Sequence, residues 1–205
     1  MGARLRGVGA PGENRWVRHD LVLTAPGVLL VPLEEAHAPA LLALVDDDLW
    51  AGMTSPVPRS VDDVVAQVRA AHDEPGRTAF AVLSDGGEVI GATSLYDHVP
   101  AMARVEIGFT YYARRVWGSR VNPACKLALF TQAFDEWGCA RVALRADSAN
   151  TRSIGAMTRL GAVPEGVLRS HRVRPDGTRG DTAYFSVLAD EWPAVRAGLL
   201  ARLGA

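Results

Sequence analysis

Residues 104–146 constrain the fold most, because they read as a strand, a well-marked helix and a second strand in close succession. Residues 104–112 and 141–146 are the strands. Between them, residues 123–137 carry Leu127, Phe130 and Phe134 at helical spacing, with Asn122 as the expected N-cap, Pro123 at the first helical position and Gly138 beyond the end. A helix with such an apolar stripe has to bury it, and a sheet built from the flanking strands is the surface at hand.

The rest of the chain supplies more of that sheet. Residues 28–32 form a short apolar strand, and residues 34–45 place Ala38, Leu41, Leu42 and Val45 on one helical stripe. Ser60 is the candidate N-cap of a second helix, with Asp63 three residues on and Val64, Val65 and Val68 on its buried side. Residues 78–83 and 88–96 are strands joined by Ser84-Asp85-Gly86-Gly87, whose Asp-Gly and Gly-Gly pairs accept the positive φ angles of a tight hairpin. Further on, 150–160 is a helix closed by Gly161, 167–173 and 182–188 form a hairpin across Pro175-Asp176-Gly177, and 191–203 is a final helix. This order predicts an α/β sheet with an antiparallel meander in its first half and helices on both faces. Residues 1–20 mix Gly, Pro and Arg without periodicity and read as a flexible arm, leaving residues 21–205 as a single domain.

Composition excludes several function classes. With 48% hydrophobic and 22% charged residues the chain has the make-up of a globular protein, and no stretch approaches the roughly 20 apolar residues of a spanning helix. No membrane association and a cytoplasmic location are the expectations. Cys125 and Cys139 lack CxxC spacing and the five histidines are scattered, so neither a metal site nor a disulfide is expected. The arginines are not interleaved with aromatics and no nucleic-acid motif is present, which argues against nucleic-acid binding. Charge is uneven along the chain: 7 Arg against 14 acids leave −7 over residues 1–100, and 15 Arg plus Lys against 9 acids leave +6 over residues 101–205. Such a split marks either a polyanion site or a solvated basic face.

Placement favours the site. Arg114-Arg115-Val116-Trp117-Gly118-Ser119-Arg120-Val121-Asn122 lies directly before the best helix. A helix N-terminus offers unpaired N–H groups and partial positive charge, and a glycine before it lets backbone approach a phosphate. This loop contains neither GxxxxGK[ST] nor GxGxxG, and alone it is equally well a plain strand-to-helix turn.

Arg115-x-x-Gly118-x-Arg120 resembles the acyl-coenzyme A loop of the Gcn5-related N-acetyltransferase (GNAT) superfamily, in which Gln or Arg is followed by Gly and then by Gly or Ala. Two of three positions match; Arg120 departs, and it would either clash with a diphosphate or pair with it. The ribosomal-protein N-acetyltransferase branch (RimJ/RimL-like) is similar in Trp117-Gly118-Ser119, Val121-Asn122-Pro123, Asn150-x-x-Ser153, Leu160-Gly161-Ala162 and Glu165-Gly166-Val167-Leu168-Arg169, across residues 28–192.

The resemblance implies a mixed, largely antiparallel central sheet of about seven strands with helices on both faces. It implies transfer of an acetyl group from acetyl-coenzyme A to a primary amine, whether a protein N-terminus, a lysine or a small molecule, by direct attack. Another donor such as succinyl-coenzyme A, or a non-catalytic acyl-coenzyme A-binding role, stays open. Glu106 becomes the general base, drawing the amine proton through water, although alternation alone would equally put it on a solvated strand face. Met157 stands where many members carry a tyrosine acid, and Ser153 would give a hydrogen bond to the departing thiolate unless it is only a first-turn residue capped by Asn150. Residues 114–122 would hold the diphosphate, the backbone of Phe109, Thr110 and Tyr111 the pantetheine amides, and Asn150 a neighbouring group of the coenzyme, while Arg152 and Arg159 would reach the adenosine phosphate unless they are plain solvent-facing helix charges. Trp50, Met53, Tyr96, Asp97, His98, Arg169 and His171 are candidates for the acceptor side, where an acidic N-terminal half would attract a cationic amine. A homodimer through the hairpin edge at 167–188 is also expected.

Overall fold

The computed structural model describes residues 19–204. The sequence-predicted arm, apart from His19 and Asp20, lies outside the described residues. The strands are β1 (Leu23–Ala25), β2 (Val28–Pro32), β3 (Thr78–Ser84), β4 (Val89–Val99), β5 (Arg104–Tyr112), β6 (Arg141–Asp147), β7 (Val163–Val173) and β8 (Arg179–Leu188). They form one sheet in the order β1-β2-β3-β4-β5-β6-β8-β7, antiparallel throughout except for the parallel β5–β6 pair. The helices are α1 (Ala38–Leu42), α2 (Asp47–Trp50), α3 (Val61–Asp73), α4 (Val121–Thr131), α5 (Thr151–Leu160) and α6 (Trp192–Leu203).

Eight strands rather than seven are present among the described residues, because β1 pairs with β2 across a turn at Gly27 (φ +83°). Three residues are too few to show alternation. The helix expected at 34–45 shrinks to a single tight turn and the five-residue α1, and α2 is added, its first turn capped by the Asp46 side chain accepting from Leu49 N at 2.8 Å. The reciprocal cap of Ser60 and Asp63 opens α3 as its sequence requires.

Helix α4 opens two residues earlier than expected, so Asn122 sits within its first turn and not at its cap. The cause is Ser119, whose Oγ donates to Val116 O at 2.6 Å and accepts from Val121 N at 3.2 Å, taking up one of the first free N–H groups. After Thr131 the helix widens for one turn, with Trp137 N reaching back five residues to Gln132 O.

Helices α4, α5 and α6 cover one sheet face, where Phe80, Ile90, Val105, Ile107, Val142, Leu144 and Phe185 meet Leu129, Phe130, Met157, Leu160 and Leu199. Helices α1 and α3 cover the other face only over β2–β4, through Leu41, Val64, Val68, Ala79 and Ala81. On that second face, Glu106, Arg145, Tyr184 and Ser186 alternate with residues of the first core, so the stretch from β5 to β8 is polar there. No described helix is long and apolar enough to cross a membrane.

Gly91 shows how closely β4 and β5 are fitted. A Cβ there would stand 2.3 Å from Tyr111 O and 2.7 Å from the Tyr112 ring, so the backbone itself would have to move. Gly91→Ala is expected to destabilise the chain by about 1–3 kcal/mol, lowering Tm by roughly 2–4 °C per kcal/mol. An unchanged melting curve would refute this account of the pairing.

Candidate active site

Strands β5 and β6 pair only from Arg104↔Arg141 to Ile107↔Leu144, although β5 runs on to Tyr112 and β6 to Asp147. Beyond Ile107 they separate. β5 carries one extra residue between its pairings Gly108↔Ser94 and Tyr111↔Ala92, and Phe109 takes a left-handed φ of +51°. Phe109 is held in this conformation by an edge contact with Tyr96 (5.0 Å between centroids) and by the Arg77 guanidinium 3.5 Å above its ring.

The opening leads into a cavity of about 760 Å³. One side of its wall belongs to the α4–α5 face, with Gly118, Asn122, Lys126, Ser153 and Met157; the other includes Tyr96 and Arg145, on the polar face. Phe109, Thr110 and Tyr111, expected to hold the pantetheine amides, run along its edge.

The loop before α4 divides in two. Val116, Trp117, Gly118 and Ser119 line the cavity, and Gly118 has φ +72° with nothing within 4 Å of where a Cβ would stand. Trp117 is fixed by its Nε1 donating to Tyr112 O at 2.8 Å, and the Arg152 guanidinium lies 3.6 Å from its ring centroid. Arg120, at the N-cap position of α4, makes no side-chain cap, and the N–H group that Ser119 takes up is that of Val121. The loop arginines, by contrast, are directed away from the wall. Arg114 binds Asp46 and Asp48, Arg115 pairs with Glu88 at 2.6 Å, and Arg120 donates to Leu203 O at 3.1 Å, where a cation suits the end of α6. Hydrogen bonds from Arg114, then from Leu49 N, hold Asp46 down to about 2. Arg120 has φ −75°, so no glycine is demanded there, and Val121 packs against the core.

Lys126, which the sequence reading did not single out, lines this same wall. It is the only lysine of the chain, one helical turn after Asn122, and only 6% exposed. Among the described residues no carboxylate pairs with it, and burial pushes its ammonium down to about 8. Its uniqueness in an arginine-rich sequence was the available signal.

Glu106 is 8% exposed and accepts a 2.5 Å hydrogen bond from Tyr96 Oη, with Arg145 Nε 3.5 Å away. The Tyr96 ring lies over Gly108, where a Cβ would meet it at 2.7 Å, so the phenol stands at the mouth of the opening. Burial, then the Glu106 charge, keep that phenol protonated well above its usual range. Across the cavity, Asn150 caps α5 by accepting from Ser153 N at 3.0 Å, and Met157 lies buried two turns along. A thioether has no proton to give.

Of the acceptor candidates, Tyr96, Met53 and His171 reach the wall. Trp50 is buried beside it, donating to Ser55 O at 3.0 Å and touching Tyr111 edge-on. Asp97 is tied to Arg104, His98 stacks on Trp137, and Arg169 is exposed on β7; none of the three lines the cavity. No aspartate or glutamate is on the wall among the described residues, so the expected acidic lining is absent from it, whereas Arg145 and Arg172, missed in the sequence, are present. No described group of His, Cys, Asp and Glu is arranged to hold a metal ion, and both cysteines are free and buried.

Residues 28–163 match the family model of the acetyltransferase (GNAT) domain. A Bacillus subtilis (strain 168) protein provisionally named a ribosomal N-acetyltransferase, YdaF, is 31% identical over 106 residues, which span 52% of this chain and 57% of that relative. The chain thus spans little more than half the length of the curated relative it matches. A structure from T. thermophilus, provisionally described as an acetyltransferase, is 38% identical with TM-score 0.83, covering 89% of this chain and 96% of that one. A GCN5-related N-acetyltransferase from Brucella melitensis is 27% identical at the same TM-score, covering 93% and 90%. Since the family model takes in well over half of the sequence, the chain belongs to the GNAT acetyltransferase family.

Proposed function

We propose that this chain transfers an acetyl group from acetyl-coenzyme A to a primary amine by direct attack. The observation that carries the reading is the opening after Ile107, with the N-terminus of α4 and Gly118 on one face of the sheet and a carboxylate–phenol pair on the other. The donor diphosphate would meet the backbone of residues 116–122, its pantetheine would run beside Phe109, Thr110 and Tyr111, and its thioester would lie near Gly108. The fit is supported by the open space at Gly118, the unpaired Lys126 and the lack of carboxylates on the wall.

An amine arriving from the Tyr96 side forms the C–N bond as the C–S bond breaks. Its proton passes to the Tyr96 oxygen while the Tyr96 proton moves to Glu106. The thiolate departs toward Ser153, which offers a hydrogen bond, and takes its proton from solvent. The proposal includes cytoplasmic work, favoured by two unpaired cysteines. It also includes a homodimer through edge strand β7, supported by the exposure of Val163, Val167 and Leu168.

Glu106→Gln should lower turnover by about a hundredfold or more while coenzyme A binds with unchanged affinity by calorimetry. Wild-type release of free thiol from this variant would remove Glu106 from the mechanism.

Lys126 yields a second test. Its folded value, about 8, lies below the usual 10.5, so between these limits the unfolded chain holds more protons and this residue's contribution to stability rises with pH. Below pH 8 the buried charge is a full cost. Lys126→Met should therefore melt higher than wild type at pH 7, lose that rise between pH 8 and 10, and bind coenzyme A about tenfold more weakly. Equal coenzyme affinity in the two proteins would show that Lys126 does not face the donor.

A further inference from the structure

The acceptor end of the cavity has more positive charge than its own partners neutralise. Arg172 is the centre of this imbalance: its side chain is 10% exposed, and of its donors one reaches Gly52 O at 3.0 Å while buried Nε has no hydrogen-bond acceptor. The nearest carboxylate oxygen, Asp147 Oδ2, is 3.8 Å away. Asp147 is already engaged, accepting from Arg174 at 2.7 and 3.1 Å and from Ala149 N at 2.9 Å. Arg145 stands on the same sheet face, two residues before Asp147; its Nε is 3.5 Å from Glu106 and it donates to Tyr184 Oη at 2.8 Å. Glu106 in turn accepts the hydrogen bond of Tyr96 Oη.

Arg145 and Arg172 thus meet only carboxylates that other donors already hold, Glu106 by Tyr96 and Asp147 by Arg174, which Asp176 and Asp181 also neighbour. The excess charge is on the cavity side, since Arg145 and Arg172 line the wall and Arg174 does not. Burial works most against the charge of Arg172, and the two wall arginines also repel each other. His171, hydrogen-bonded to Thr182 at 3.2 Å, and Thr182 itself complete this corner with further polar groups. A buried guanidinium with unused donors is costly unless an anion completes it.

That anion is not the donor's diphosphate. Gly118, Asn122 and Lys126 belong to the α4–α5 side, whereas Arg145 alternates with Leu144 and Ala146 of the first core and so projects to the opposite face, where Tyr96 and Glu106 stand. We infer that the amine acceptor carries a carboxylate close to its amino group, and that Arg172, seconded by Arg145, holds that carboxylate while the amine faces Tyr96. The inference rests on the acyl-transfer reading above. It reverses the expectation of a cationic acceptor, because the acids of the N-terminal half are spent on surface ion pairs such as Asp46–Arg114 and Glu88–Arg115. A free amino acid and a peptide with an acidic residue beside its N-terminus both present this chemistry.

The test is a comparison of matched acceptors with acetyl-coenzyme A, read as free thiol released. The twenty amino acids are set against their carboxamides, and short peptides with Asp or Glu at the second position against the same peptides with Lys. The acidic member of the favoured pair should show kcat/KM about tenfold or more above its neutral or basic counterpart, through KM, and the gap should narrow as sodium chloride is raised. Arg172→Gln should abolish the preference without changing coenzyme A affinity. Arg145→Gln, which spares the contact to Gly52, should reduce it. Carboxamides or lysine-bearing peptides turned over as well as the acids would overturn the inference while leaving acyl transfer intact. Should no amine release thiol, acyl transfer itself fails, and calorimetry of the same pairs against the coenzyme A-loaded protein decides the subsite: tighter binding of the acids upholds it, equal or absent binding sinks it.

Discussion

Parallel strands that begin side by side usually stay paired for as long as both remain extended, yet β5 and β6 part after four residue pairs. The extra residue at the bend of β5 turns its far half out of register with β6, and the cost of a left-handed phenylalanine is met by packing from Tyr96 and Arg77. Almost every functional feature is a consequence of that parting. It opens a path through the sheet, brings the α4 N-terminus to one side and the Tyr96–Glu106 pair to the other, and leaves Gly108 as the point where the two meet.

The charges of the chain serve two distinct ends. Arginines of the loop before α4 are used as mortar: Arg114 ties α2 to the loop, Arg115 ties the β3–β4 hairpin to it, and Arg120 closes the end of α6. Exposed ion pairs of this kind add little stability each, but they hold the loop's shape while its backbone is left open toward the cavity. The charges that do face the cavity are Lys126, Arg145, Arg152, Arg159, Arg172 and Arg202, contributed by strands and helices around it rather than by the loop.

Much of the fold could be read from local chemistry. β5 begins and ends as its pattern predicts, the Ser60–Asp63 cap and the Gly161 stop are in place, and the Asp85-Gly86-Gly87 turn joins its two strands. The failures are of one kind. β1 and α2 are too short for periodicity, and α4 starts early because a serine hydroxyl two residues before the helix does what the expected asparagine cap would have done. Within the site, the position of the loop was legible from Gly118 and the helix behind it. The direction of each arginine was not, since it depends on carboxylates dozens of residues distant, and Arg145 and Arg172 become neighbours only when β6 and β7 are joined through β8.

One residue has a bearing on chemistry outside the catalytic cycle. Acyl thioesters modify accessible amines without any enzyme, and a protein that binds such a thioester keeps it at high local concentration. Here the only side-chain amine, Lys126, is enclosed by the cavity wall, and the surface carries its positive charge on guanidinium groups that remain protonated and unreactive. Apart from its α-amine, the chain therefore offers an acyl thioester a single target, placed so that a coenzyme bound as proposed and a modified lysine would compete for one space. An acyl group found on a side-chain amine of this protein would be a record of what its cavity had held.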